Sequence, residues 1–130
     1  MRRHRLAVLF ALTGLLVVSG ARAGDFFEAF GDLPLMPGLT ERPEAAVVFD
    51  HATGQVATAV ASGPVEPAAV RRFYRTSLPP LGWVPDCARP GCAPPDRYRR
   101  DGEALELELA SGPDGTAARF VLTRQLSNPQ

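Results

Sequence analysis

The side chains able to do chemistry are few, and their spacing argues against a reaction. His51 is the one histidine beyond the first 23 residues, and it directly follows Asp50. Neighbours on an extended chain point to opposite faces, so these two do not orient one another. Ser62, Ser77 and Ser111 fall where helix ends and turns are expected, and no Gly-x-Ser-x-Gly elbow marks a nucleophile. A nucleophile, base and acid must converge in space, and nothing in the spacing brings them together. Glu106 and Glu108 share a strand face. Paired carboxylates can do acid–base work, but two such residues are also the ordinary wet side of an amphipathic strand. Neither a glycine-rich phosphate loop nor a metalloprotease helix is present. The expectation is a protein that is not an enzyme and holds no cofactor or metal.

Two clusters carry other chemistry. Cys87 and Cys92 flank Ala88-Arg89-Pro90-Gly91, and Pro-Gly turns the chain back on itself. In an oxidising compartment an even cysteine count favours a bridge between them. So short a loop limits the entropic gain to about 2 kcal/mol. Free thiols, or a metal or redox pair, are the competing readings. A tetrahedral metal would need His51 or carboxylates to complete its ligands, and redox pairs usually separate their cysteines by two residues, not four. Arg97, Arg99 and Arg100 form a local positive group. Guanidinium forks suit carboxylates and phosphates, which makes these three a candidate anion site, with pairing to the chain's own acids as the alternative.

The compartment is written at the start. Residues 1–23 run from a basic Met1-Arg2-Arg3-His4-Arg5 through 13 mainly apolar residues, Leu6 to Val18, to Ala21-Arg22-Ala23 before Gly24. That is the layout of a cleavable signal peptide. The apolar run is too short for the ~20 residues a spanning helix needs, though a retained anchor is the alternative. Of the 14 arginines four lie in this leader, and the chain has no lysine. The processed chain would carry ten arginines against 14 acids. An acidic chain of little over a hundred residues is one small domain. It is too short for a two-domain enzyme and too acidic for a phosphate-tracking nucleic-acid binder. The expectation is a periplasmic or secreted protein.

The elements that must position these residues can be read in order. Residues 24–43 are an apolar, proline-rich arm. Phe26, Phe27, Phe30 and Leu33 fit one side of a short turn between Asp25 and Gly31, and Leu35 and Met36 follow among prolines that forbid a regular helix. Such an arm either lies across a sheet or docks to a partner, which makes Phe26, Phe27, Phe30, Leu33, Leu35 and Met36 candidate docking residues. Ala46–Asp50 and Gln55–Ala61 read as a hairpin, with Ala57, Ala59 and Ala61 leaving room on one face. Pro67–Ser77 reads as a helix burying Val70, Phe73 and Tyr74 ahead of Leu78. Leu81–Pro85 starts a short strand around the single tryptophan, Trp83. Arg97–Asp101, a strand bearing Leu105, Leu107 and Leu109, and a strand bearing Ala118, Phe120 and Leu122 follow, separated by Asp101-Gly102 and Gly112-Pro113-Asp114-Gly115 turns. The plan is α+β: β-β-α-β-β-β-β, an antiparallel sheet of about five to six strands with one helix on one face, spanning residues 44–126, and a tail at 127–130.

Leu33-Pro34-Leu35-Met36-Pro37-Gly38-Leu39, Val48-Phe49-Asp50, Phe73-Tyr74 ahead of Leu78-Pro79, and Leu81-Gly82-Trp83 together resemble a family of small exported bacterial proteins of unknown function. The resemblance implies export and one compact domain, and it brings no catalytic residues. The expected role is a periplasmic, non-catalytic module that binds an envelope protein or assists envelope assembly. The alternative is a protein that holds a small molecule or lipid in a pocket between helix and sheet, lined by Phe73, Trp83, Leu105, Leu107 and Phe120.

Overall fold

The structure is a computed structural model that describes residues 25–87 and 96–126. Seven strands form one sheet, all neighbours antiparallel, with order β1-β3-β7-β6-β5-β4 and β2 also on β3. The strands are β1 (Thr40–Glu41), β2 (Val47–His51), β3 (Gly54–Gly63), β4 (Val84–Pro85), β5 (Arg97–Arg100), β6 (Glu103–Gly112) and β7 (Gly115–Gln125), with α1 (Pro67–Ser77) between β3 and β4. The α+β class is as expected, but there are seven strands and not five to six. The extra one is β1, inside the segment read as an arm. β1 and β2 lie along the same side of β3 at its two ends, split by a 3₁₀ turn at Pro43–Ala45. Pro43, whose ring fixes φ, opens that turn, and the extended edge breaks there.

Hairpin chemistry sets the registers. Asp101 and Gly102 both take positive φ, as a two-residue turn between twisted strands requires. It pairs Arg100 with Glu103 and Tyr98 with Leu105. Alternation then puts Tyr98, Leu105, Leu107, Phe120, Leu122 and the Ala57-Ala59-Ala61 row on one buried face. Small residues on β3 sit beside large ones on β7: Ala59 opposes Phe120 and Ala57 opposes Leu122.

Helix α1 begins at Pro67, whose fixed φ suits the first turn and whose missing N–H would be unpaired there anyway. Glu66 makes no side-chain cap; its carbonyl instead accepts from the amides of Ala69 and Val70. Val70, Tyr74 and Leu78 are fully buried on the face that meets the sheet. The helix stops where Pro79-Pro80 forces a 3₁₀ turn, and Gly82 at φ 88° redirects the chain so that Trp83 enters the core.

The remaining cover is the N-terminal arm. Phe26 bridges to Pro34, and the Phe27 amide donates to the Leu33 carbonyl, closing a loop around Gly31. Phe27 and Leu33 are 1% and 2% exposed, and Leu39 is buried as well. The Phe27 ring packs 4.7 Å from that of Phe120 and the Tyr74 ring 5.0 Å from it. Tyr74 also pins the arm: its hydroxyl donates to the Pro34 carbonyl (2.9 Å) and accepts from the Met36 amide (3.2 Å). The arm is thus part of the core. Trp83, Leu105, Leu107 and Phe120, expected around a ligand pocket, are at most 3% exposed. The arm and helix pack over these four side chains, and Phe73, the fifth, is partly buried against them.

Candidate functional site

Each residue singled out by chemistry has a definite place. His51 ends β2 on the surface, paired with Gly54 across a two-residue turn. Asp50 accepts a hydrogen bond from the Gln55 amide nitrogen at 2.7 Å. Ser62 lies at the far end of β3, about 27 Å away at 3.4 Å per strand residue, and accepts from Arg42. Ser77 closes α1 and Ser111 precedes the β6–β7 turn. The fold does not bring base and hydroxyls together. Glu106 and Glu108 share the open face and are each neutralised, by Arg97 (3.0 Å) and Arg119 (2.9 Å). Among the described residues no group of three or more histidines, cysteines or carboxylates could hold a metal ion. Nor is any helix there long and apolar enough to cross a membrane.

The arginine group is divided between the two faces of the sheet. Arg97 and Arg99 lie on the face away from the helix, whereas Arg100, the next residue along β5, turns to the other. All three are engaged. Arg97 pairs with Glu106 and Arg99 with Asp86, at 3.3 Å. Arg100 lies 4.4 Å over the Trp83 ring and bonds Asp32, Glu103 and the Leu81 carbonyl. Burial works against its charge, but the bonds from Glu103 and Asp32 outweigh this and raise its pKa. Glu103 in turn holds Arg124 at 2.7 Å. This network clamps arm, Trp83 loop and sheet together.

Cys92 lies outside the described residues, so the expected Cys87–Cys92 bridge does too; Cys87 is not a free thiol. The signal segment and the tail also lie outside them. An open depression of about 770 Å³ lies where β1 meets the β6–β7 hairpin. Its one arginine, Arg42, already bonds Ser62 and approaches Glu44.

What stands out is the edge strand β2. All five of its residues are exposed, and three in a row are apolar: Val47, Val48 and Phe49, the last 65% exposed. Its far side pairs with no strand among the described residues. The register places Phe49 beside Val56 and Thr123, and Val47 beside Thr58 and Val121, on the face α1 does not cover. Val48 falls on the helix side, beside Ala57, beyond the reach of the arm. Exposed strand edges are usually guarded by a charge, a proline or a bulge. The opposite edge has such guards, since β4 is two residues long and includes Pro85. β2 pairs one-to-one with β3 without a bulge or a proline, and its one carboxylate, Asp50, is held by the Gln55 side chain beside it.

Sequence reasoning singled out the arm as the docking element. Of its six candidates, Phe27 and Leu33 are core, Phe30, Leu35 and Met36 are partly buried against it, and Phe26 alone is largely exposed. The signal that was passed over is the run Val47-Val48-Phe49. A strand apolar on both faces, next to a turn, is either central in a sheet or bare at its edge. Compared with known protein families, curated proteins and solved structures, the chain matches none of them.

Proposed function

We propose that the protein is an exported, non-catalytic binding module of the periplasm that takes an extended protein segment along β2. One observation carries this: a regular edge strand without bulge or proline, exposed at all five residues, with apolar side chains on both faces. Strand addition uses the free main-chain groups of such an edge for affinity and alternate side chains for specificity. The basic-apolar-small layout of residues 1–23 supports export, and Cys87 with Cys92 would then be joined as a bridge that fits an oxidising compartment. The likeness to small exported bacterial proteins points the same way. The pocket alternative is the weaker one, because the side chains that would line it are packed against one another.

A photo-reactive amino acid in place of Phe49, in the protein expressed in its own cell, tests the reading. Irradiation is expected to give discrete adducts, lost when the probe replaces Asp114 at the opposite end of the sheet. Adducts equally strong from both positions, or none from position 49, would overturn it.

A further inference from the structure

We infer that the segment received at β2 is the β2 strand of a second copy of this chain, the two sheets joining edge to edge about a two-fold axis. The inference rests on the strand-addition reading and names its partner. The backbone geometry comes first. The two-residue turn makes His51 and Gly54 the closing hydrogen-bonded pair, and bonding then alternates along the ladder. The Arg42 amide donates to the Val60 carbonyl, so the even-numbered residues of β3 do turn their main-chain groups towards this edge. Phe49 and Val47 therefore bond Val56 and Thr58, and the N–H and C=O groups of Val48 and Asp50 point outward.

Those two residues complement each other in one register. With Phe49 opposite Phe49 of the second copy, each Val48 faces the other copy's Asp50, and each such pair can exchange two main-chain hydrogen bonds. All five residues of β2 overlap. The two Phe49 rings meet on the open face as a close, non-hydrogen-bonded pair, the arrangement in which cross-strand aromatic contacts are tightest. Sliding the strands by one pairing step towards His51 would oppose Asp50 to Asp50, a like-charge pair. Sliding the other way pushes β2 past its own end towards the 3₁₀ turn at Pro43–Ala45 and shortens the overlap. A strand added here needs apolar side chains on both faces and no acid opposite Asp50. β2 itself meets both conditions. A seam of five residues is small beside a standard interface, so the association should be reversible, in the micromolar range.

Sedimentation velocity across a concentration series, on the chain purified from the periplasm as the cell processes it, tests this. A monomer–dimer equilibrium is expected. Val48→Asp, which sets two acids against each other on each side of the axis, should weaken it at least tenfold. Val48→Lys, equally polar but facing Asp50 of the second copy, should leave it as tight or tighter. The contrast between these two variants separates pairing from any loss of folding. A chain monomeric at every concentration would overturn the inference while leaving the strand-addition reading to stand on the Phe49 adducts to another protein. A dimer indifferent to Val48→Asp would overturn it as well, because another surface would then be in use.

Discussion

Tyr74 and Tyr98 are the chain's two tyrosines, and folding strips both of water. Burial raises the phenol pKa of each above the ordinary value near 10; the Met36 amide bonded to Tyr74 offsets its shift in part, while Asp96 adds to that of Tyr98 against Arg75. A raised acid pKa means that the unfolded chain loses these protons first. Stability is therefore complete below pH 10 and falls above it, by about 1.4 kcal/mol at pH 11 for Tyr74 alone. The absence of lysine keeps that window clear of amine side chains. Denaturant titrations at pH 8 and pH 11 should show the loss. Tyr74→Phe should cost about 1–2 kcal/mol at pH 8, through its two bonds to the arm, and flatten the alkaline slope. An unchanged slope would mean that the phenol ionises freely in the folded chain. At this scale the sequence was legible where packing alone decides, as at Tyr98, Trp83 and the Ala57-Ala59-Ala61 row. It marked Arg100 but not its partners, because Asp32, Leu81 and Glu103 come from three segments and only the folded chain assembles them.

Elements legible in the sequence are those whose signals are local. Helix α1 occupies the expected residues 67–77, because Pro67 and Pro79-Pro80 punctuate a 3.6-residue apolar period. The Asp101-Gly102 and Pro113-Asp114 hairpins also lie where their turn residues place them. For the segment at 24–43 the sequence offered the right reading, an arm lying across the sheet, but not β1 within it, since prolines erase periodicity and its partners are distant in sequence. It supplies β1 and three core side chains. Its seat demands close backbone approach: a Cβ on Gly63 would strike the Gly38 carbonyl. Gly63→Ala should thus cost about 1–3 kcal/mol and lower Tm by roughly 5–20 °C. Gly112→Ala, where a Cβ meets open space, should change Tm little. Equal effects would mean that the crossing gives way. Arg100→Ala should cost about 2–3 kcal/mol by freeing Asp32 and leaving Glu103 half-satisfied, whereas Arg119→Ala, on an exposed pair, should cost under about 1 kcal/mol.

At the scale of the molecule the middle of the chain meets its last strand in the pairing of β3 with β7, ten register pairs long. No local signal announces that pairing. It is chosen because the alanine row accepts Phe120 and Leu122, a match between surfaces formed far apart in sequence. The result is a sheet closed on one face by helix and arm, blunt at β4 and bare at β2. That asymmetry suits the strand-addition role proposed above, and the arm sets a limit on the proposed leader cleavage. Leu35 donates to the Asp25 carbonyl, and Phe26 bridges to Pro34, so the folded contacts reach back to Asp25. Cleavage between Ala23 and Gly24 leaves them intact, while a cut a few residues later would remove Phe27 from the core. Intact-mass measurement on the chain recovered from the periplasm should therefore give Gly24 as the first residue, a mass two hydrogens below the dithiol, and cysteine labelling only after reduction. A product beginning at Met1 in the soluble cell interior, with both thiols labelling freely, would place the molecule in the wrong compartment for the proposed role.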